Sequence, residues 1–362
     1  MKFSLRALAS TLPAIALLLP VTTARAQDPA PPVPAADTEQ PAVLSSPTPA
    51  RPTAPTELFE VVKVVDGDTI HILRGDKVEK LRLLSVDTEE RIRPGQKQNP
   101  SKPMTLFGEE CALWASDFFA KLAGDDGKTR VGLSFPEGKE ARGTFGRLLC
   151  HVILEDGRDF NLMLVQLGKS PYYNKYGNSR IAHAEFVAAQ KRAREKQLGI
   201  WNPKVNEPET PGAPVYKRNY DELLVWWQAR ADAIDGYDLR CAEEPFSIFT
   251  SEDHELLDLA QLMGDEVQVF GAIDRIFEER DGSRTLLMRA SVKDKALRVR
   301  VPAESVEALK AAELDALTEY GRQNYAYYRG VITTGERGFE LILTDPAQVV
   351  RGGPEPQMPA AH

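Results

Sequence analysis

The sequence predicts a mainly β protein with helices, of the α+β class, built around a small closed barrel with helices packed on it. Over residues 58–203, strand and helix patterns follow one another as three strands, a helix, two strands and two helices. Short strands separated by turn signals are typical of closed barrels, and the helices then pack on the outside. Strand signals return after residue 265, which predicts a second β domain.

Each element of the first domain follows from a local pattern. The strands are rich in β-branched residues or alternate between polar and apolar, and turn signals such as Asp66-Gly67-Asp68 separate them. The first helix has apolar residues near helical spacing, and the last has Lys and Arg on its outer face. The predicted strands are 59–65, 69–73, 78–86, 129–135 and 147–154, and the predicted helices are 108–122, 161–167 and 181–197.

The start of the chain has the pattern of an export signal. Lys2 and Arg6 precede an apolar run at 7–21, which is shorter than the roughly 20 residues of a membrane span. Ala24 and Ala26 offer a cleavage site, so residues 1–26 are expected to be a signal peptide and no span to remain after cleavage. An uncleaved anchor is the alternative, which the short apolar run disfavours. Residues 27–57 are rich in Pro and Ala and are predicted to be a disordered linker. The protein is then periplasmic or extracellular.

Charge separates the two halves of the remaining chain. Residues 58–203 carry 23 Lys and Arg against 20 Asp and Glu, whereas residues 204–362 carry 18 against 29. A polyanionic substrate is better accommodated by the first half. The expected organisation is a domain at 58–203, a linker and helical segment at 204–260, a β domain at 261–350 and a disordered tail at 351–362.

The cysteines do not form a zinc pattern. Cys111, Cys150 and Cys241 lack the close spacing of such sites. A bridge between Cys111 and Cys150 is geometrically conceivable in an oxidising compartment, and burial of each as a small apolar residue is at least as good an interpretation.

Five residues of the first domain form the equipment for phosphodiester hydrolysis. Asp68 and Asp87 come at the ends of neighbouring strands, where two carboxylates can hold a hard cation, with Ca²⁺ the one expected. Arg82 and Arg147 carry permanent forked charge that fits phosphate oxygens. Glu90 follows on the outgoing loop, where it can take a proton from water. Each of these residues alone would be interpreted as a turn or surface residue, whereas the five together indicate a catalytic site.

These motifs resemble the staphylococcal nuclease (thermonuclease) family over residues 58–203. The matching blocks are Val-Val-Asp-Gly-Asp-Thr at 64–69, Phe-Gly-Glu at 107–109, Phe-Gly-Arg at 145–147 and Leu-Gly-Ile-Trp at 198–201. The resemblance implies a five-stranded oligonucleotide-binding (OB) barrel. It also implies that Asp68, Asp87 and the Thr88 carbonyl hold calcium, that Arg82 and Arg147 hold the scissile phosphate, and that Glu90 activates or orients water. Cleavage would leave 3′-phosphate and 5′-hydroxyl ends.

Two features depart from the family pattern. Glu89 stands where the family usually has proline, which could loosen Glu90. The loop at 91–106 is longer and basic, and is either a flexible flap or an unrelated surface loop.

Tyr172 and Tyr173 fall where the family has tyrosines that contact substrate. Burial of these rings in the barrel wall is an equal alternative.

The second half is predicted to have a helix around 220–233, strands from 266 onward and a further helix at 305–317, and its strand order loosely resembles another OB-type barrel. Its acidic balance argues against independent nucleic-acid binding, and its partner is not indicated by the sequence.

The function expected is that of an exported, calcium-dependent endonuclease of low sequence specificity, acting on DNA and with RNA as an open alternative. A nucleic-acid-binding OB module that has lost turnover is the rival, with Glu89 as the suspected lesion. An adhesion or envelope-structural protein built around the acidic domain is a third interpretation.

Overall fold

The computed structural model describes residues 54–143, 145–208, 210–244, 247–251, 261–289, 296–318, 324–354 and 356. The predicted signal peptide, nearly all of the predicted linker at 27–57 and more than half of the predicted tail lie outside these residues. The limits predicted for the domains stay predictions.

The first sheet is a closed five-stranded barrel. Its strands run in the order β3-β2-β1-β4-β6, and β3 pairs with β6 to close the ring. That closing pair is parallel, with Leu83 opposite Cys150, while the other ring pairs are antiparallel. A short strand, β5, adds to β6. The strands are β1 (Phe59–Asp66), β2 (Thr69–Arg74), β3 (Lys77–Leu83), β4 (Arg130–Ser134), β5 (Ala141–Arg142) and β6 (Leu148–Leu154).

Three helices pack against this barrel and share one apolar core with its strands. Ile70, Ile72, Leu81 and Val152 fill the interior and are fully buried. The helices are α1 (Leu106–Lys121), α2 (Phe160–Gln166) and α3 (His183–Glu195). Thr105 caps α1 by accepting a hydrogen bond from the Gly108 amide at 2.9 Å, which fixes where the helix starts next to the loop after β3.

A long helix follows, α4 (Tyr220–Glu243), with Asn219 as its N-cap. It contacts both halves of the described chain. Trp227 packs edge-on against Tyr173 of the first half at 4.7 Å between ring centroids, and Tyr237 stacks on Phe270 of the second at 4.8 Å. It extends ten residues beyond the end predicted at residue 233.

The second sheet repeats the same ring order. Strands β8, β9, β10, β12 and β11 close into a barrel through the β11–β8 pair, and β10 pairs in parallel with β12. The predicted fold class, an OB-type barrel with helices followed by a second barrel, is therefore confirmed. The strands are β7 (Ile248–Thr250), β8 (Glu266–Glu278), β9 (Arg284–Met288), β10 (Arg298–Val301), β11 (Tyr325–Gly335), β12 (Gly338–Ile342) and β13 (Val349–Arg351).

The segment after β10 differs from a continuous helix. Its α-helical part is limited to α5 (Val306–Leu309), flanked by 3₁₀ turns. Glu313 has φ +48°, a left-handed conformation that interrupts the helix.

Within the described residues, no helix is long and apolar enough to cross a membrane. The three cysteines are free thiols, and burial raises the pKa of Cys111 and Cys150 to about 12.

Candidate active site

The turn between β1 and β2 brings Asp68 against the loop that follows β3. The Thr88 amide donates to Asp68 Oδ2 at 3.0 Å, and the Asp87 amide donates to Ser170 Oγ at 2.8 Å. Gly67 permits this approach, because a Cβ there would lie 2.6 Å from Thr88 Cγ2. Ser85, with φ +62°, turns the chain out of β3 and into the loop.

Arg82 joins the two predicted metal-binding carboxylates. It lies opposite Thr69 in the β2–β3 register, next to Asp68. Its Nη1 pairs with Asp68 Oδ2, and its Nη2 donates to Asp87 Oδ1 at 2.6 Å. Both carboxylates are buried, so the fork of one guanidinium holds them in a single cluster.

Lys102, from the long loop before α1, enters the same cluster. Its Nζ lies 2.7 Å from Glu90 Oε1 and 3.0 Å from Asp87 Oδ1. In the same loop Arg91 pairs with Glu109 at 2.6 Å. Ion pairs therefore hold the loop to α1 and to the segment that follows β3, and Lys102 links the predicted base to a predicted metal ligand.

Asp87 is the most heavily paired carboxylate of the site. Burial opposes its charge, but Lys102, Arg218 and Arg82 together keep its pKa well below the usual range. Arg218 Nη1 donates to Asp87 Oδ2 at 2.8 Å from 131 residues further along the chain.

The pKa of Asp66, unlike that of Asp87, is raised above its ordinary value. Burial, followed by the nearby charges of Asp68 and Glu90, raises its pKa to about 7. Three carboxylates thus crowd one another at the end of β1.

Arg147 lines a cavity of about 580 Å³. Gly146, at φ +71°, forms the tight turn that presents it, and its guanidinium carbon lies 5.7 Å from the Phe145 ring centroid. Arg82, Asp87, Arg147 and Tyr173 of the predicted site residues line this cavity. Asp68 and Glu90 contact lining residues, Arg82 and Lys102, without lining it themselves.

Tyr172 belongs to the core rather than to the cavity. Its ring stacks on Phe186 at 5.0 Å between centroids, and its hydroxyl contacts His183 Nδ1 at 2.9 Å. This placement argues against the predicted substrate contact and favours the barrel-wall alternative for Tyr172.

Glu89 is also placed differently from the expectation. Its side chain does not loosen the loop, because it is 1% exposed and accepts hydrogen bonds from three buried donors. Asn206 Nδ2 donates at 2.9 Å and the Tyr220 hydroxyl at 3.0 Å, and the third donor is Thr105 Oγ1. Glu89 thus anchors the loop to the segment after the first domain.

Sequence reasoning missed Arg218, Asn206 and Tyr220 entirely. No local pattern marks them, since each acts on a loop more than a hundred residues away. Within the described ranges, no set of three or more His, Cys, Asp or Glu side chains is arranged to hold a metal ion. The predicted set contains two such side chains and a carbonyl.

The first half of the chain is therefore an OB-type barrel with a buried carboxylate–arginine cluster beside a cavity. Residues 80–203 match the family model described as Staphylococcal nuclease homologue. An endonuclease (YhcR) of Bacillus subtilis is 35% identical over 159 residues, which cover 42% of this chain and 12% of that protein. A thermonuclease of Staphylococcus intermedius is 33% identical over 147 residues, covering 40% of this chain and 76% of the relative. That of Staphylococcus hyicus is 27% identical over 157 residues, with coverage of 40% and 76%.

The chain belongs to the staphylococcal nuclease family, and these relatives support a nuclease function for the first barrel. The family match includes Arg82, Asp87, Glu90 and Arg147 and ends before Arg218.

Proposed function

We propose that this protein is an exported, calcium-dependent endonuclease that hydrolyses phosphodiester bonds of DNA with low sequence specificity. The observation that carries the proposal is the buried cluster of Asp68, Arg82 and Asp87 beside a cavity that Arg147 also lines. Export is proposed from the sequence pattern of residues 1–26.

Arg82 and Arg147 are the proposed ligands of the scissile phosphate. Arg82 is held by two carboxylates, so its fork is oriented before substrate arrives. Arg147 makes no ion pair with any of the described residues and has its charge available for the phosphate. Two guanidinium groups would balance the negative charge that grows as water attacks the diester.

Glu90 is the proposed acceptor of the proton from the attacking water. Lys102 Nζ lies 2.7 Å from Glu90 Oε1 and also pairs with Asp87, so one lysine positions both the proposed base and a proposed metal ligand. A positioned general base contributes on the order of 10²–10⁴ in rate.

The donor set at the cluster fits calcium. Asp68, Asp87 and the Thr88 carbonyl would supply oxygen ligands, and all three residues are buried at this end of the barrel. When bound, calcium supplies positive charge that polarises a phosphoryl oxygen.

One observation favours the rival function, a nucleic-acid-binding OB module without turnover. Both oxygens of Asp87 are in contact with protein cations, Oδ1 with Arg82 and Lys102 and Oδ2 with Arg218. A carboxylate so fully paired is a weaker metal ligand. The two functions share the cavity and differ in whether the strand is cut.

The test is digestion of single-stranded DNA with calcium, with a chelator, and by Glu90→Gln. We expect wild-type cleavage with calcium only, and a loss of roughly 10²–10⁴ in rate for Glu90→Gln. Glu60→Gln is a matched control, because Glu60 is 27% exposed and pairs with Lys128 at 2.7 Å, as Glu90 is 31% exposed and pairs with Lys102 at 2.7 Å. Binding without cleavage in calcium would favour the rival.

A further inference from the structure

One wall of the cavity comes from outside the family segment. Arg218, Leu223 and Trp227 line it together with Arg82 and Arg147. Leu223 and Trp227 belong to α4, and Arg218 belongs to the connecting arm, defined here as residues 204–219, of which Glu209 is not among the described residues. The cavity is therefore formed jointly by the first barrel, the connecting arm and α4.

The arm is fixed in place rather than laid loosely over the barrel. Asn206 donates to Glu89 and accepts from the Phe107 amide at 2.7 Å, and Tyr220, directly after the arm, donates to Glu89 at 3.0 Å. Buried polar contacts of this kind define one position, because breaking any of them leaves a buried group unsatisfied.

Arg218 is a buried cation with unused donors. Its side chain is 4% exposed and packs between two rings, with its guanidinium carbon 5.4 Å from the Tyr220 centroid and 5.5 Å from that of Trp227. All hydrogen bonds from the Arg218 side chain to described residues come from Nη1. Its Nε is buried and has no hydrogen-bond partner among the described residues. A buried donor without a partner is costly, so the site is suited to an additional acceptor.

Basic side chains outnumber acidic ones around the cavity, although carboxylates outside the lining pair with Arg82, Lys102 and Arg180. Its lining contains one acidic residue, Asp87, and six Lys or Arg. Asp87 is the sole described carboxylate within ion-pair distance of Arg218, and it also serves Arg82 and Lys102. Arg180 is paired with Glu137 and Asp238. The six basic residues are Arg82, Lys102, Arg147, Lys175, Arg180 and Arg218.

Aromatic rings complete a surface suited to a nucleotide. Phe145 and Tyr176 both line the cavity and are 83% and 62% exposed, which is unusual for rings of this size. Exposed rings beside basic groups are typical of sites that stack bases and follow a phosphate backbone.

We propose that the cavity binds a second phosphate of the nucleic-acid strand, next to the one held by Arg82 and Arg147, and that Arg218 is its ligand. The inference rests on the proposed nuclease function for the identity of the strand. It adds a substrate-binding residue that lies beyond the family segment.

The experiment measures equilibrium binding of a fluorescent single-stranded DNA of about eight nucleotides, a length within the site sizes of such barrels, in chelator at increasing salt. For Arg218→Gln we expect affinity about tenfold weaker, as for loss of a charge-assisted hydrogen bond. The slope of log affinity against log salt should fall by about 0.7, the value for one lost phosphate contact on a single strand. Glutamine is chosen because it can still donate to Asp87.

Two further variants control for charge and folding. Arg130→Gln removes a cation that pairs with Asp126 and does not line the cavity, so its slope should match wild type. Arg218→Lys keeps the charge and should keep the slope with a smaller loss of affinity, and its thermal unfolding shows whether the arm remains in place.

The outcomes separate the two proposals. A wild-type slope in Arg218→Gln, or an equal fall in Arg218→Lys and Arg218→Gln, would overturn the role of Arg218 while leaving the nuclease proposal intact. Failure of wild type to bind DNA in chelator and to cut it with calcium would instead overturn the proposed function.

Discussion

At the scale of single residues, Glu89 shows how a substitution in a loop is matched by a distant segment. A buried carboxylate is tolerated only with hydrogen-bond donors around it, and Thr105, Asn206 and Tyr220 provide them. The negative charge that replaces the family's usual proline is therefore part of the packing of the loop onto the arm.

We expect Glu89→Ala to destabilise the protein by about 3 kcal/mol, because three buried donors lose a charged acceptor. Glu89→Pro, which restores the usual family residue, should be equally destabilising here, since it removes the same carboxylate. Denaturant unfolding of both variants measures the effect, with Tyr220→Phe, which removes one donor, as a control expected at about 1 kcal/mol. A Glu89→Pro variant as stable as wild type would contradict the anchoring role of this carboxylate.

Among the site residues, those joined by neighbouring strands could be predicted. Asp68, Arg82 and Asp87 lie near strand ends that pair in the barrel, so motif and strand order together place them. Arg218 could not be found in this way, because its contact with Asp87 depends on the path of the arm. Tyr172 and Tyr173 are adjacent in sequence, and only the direction of each side chain decides which one reaches the cavity.

At the scale of elements, the turn between β5 and β6 carries Arg147 and depends on a glycine. Gly146 has φ +71°, and a Cβ there would meet nothing within 4 Å, so substitution costs backbone strain without a clash. Gly75, in the turn between β2 and β3, has φ +59° and equally open surroundings.

These two glycines form a matched pair for a prediction. Gly146→Ala and Gly75→Ala should each lose about 1 kcal/mol of stability, the usual penalty for a left-handed non-glycine residue. Gly146→Ala alone should also weaken DNA binding, because its turn presents Arg147. Thermal unfolding and DNA titration of both variants test this. Equal DNA affinity of the two variants would show that the turn at Gly146 does not affect substrate binding.

The helices show where local pattern was sufficient and where it was not. One helix is predicted at 305–317, but Glu313 in a left-handed conformation divides the segment into short turns. Helix α4 is longer than its apolar pattern suggests because packing against the second barrel, as in the Tyr237–Phe270 stack, supports its C-terminal part.

At the scale of the whole molecule, Lys175 lies where the first barrel approaches α4 and the second barrel. Its carbonyl accepts a hydrogen bond from Arg230 Nε at 3.2 Å. Burial, together with the charges of Arg230 and Arg289, lowers the pKa of the Lys175 ammonium to about 7.

This lowered pKa predicts a pH dependence of stability. Because the unfolded chain holds the Lys175 proton up to its ordinary pKa of 10.5, it binds more protons than the folded protein between pH 7 and 10.5. The contribution of Lys175 to the free energy of unfolding therefore rises with pH in that window. From pH 7 to pH 9, stability should rise by about 2 kcal/mol more in wild type than in Lys175→Met. Denaturant unfolding at both pH values measures the difference, and parallel pH profiles would contradict it.

The succession of strands along the chain could be predicted for both barrels, because hairpins and turn signals are local. The way the barrels share α4 could not, since ring contacts such as Trp227 on Tyr173 have no sequence pattern of their own.

The arm that crosses from Asn206 to Arg218 has a consequence for how this barrel can be inherited. Recombination at residue 203, where similarity to the family ends, would separate Asp87 and Glu89 from the side chains that balance them. We expect lineages carrying this version of the loop to retain both segments together. The segment inherited as a whole would then extend beyond the residues that match the family.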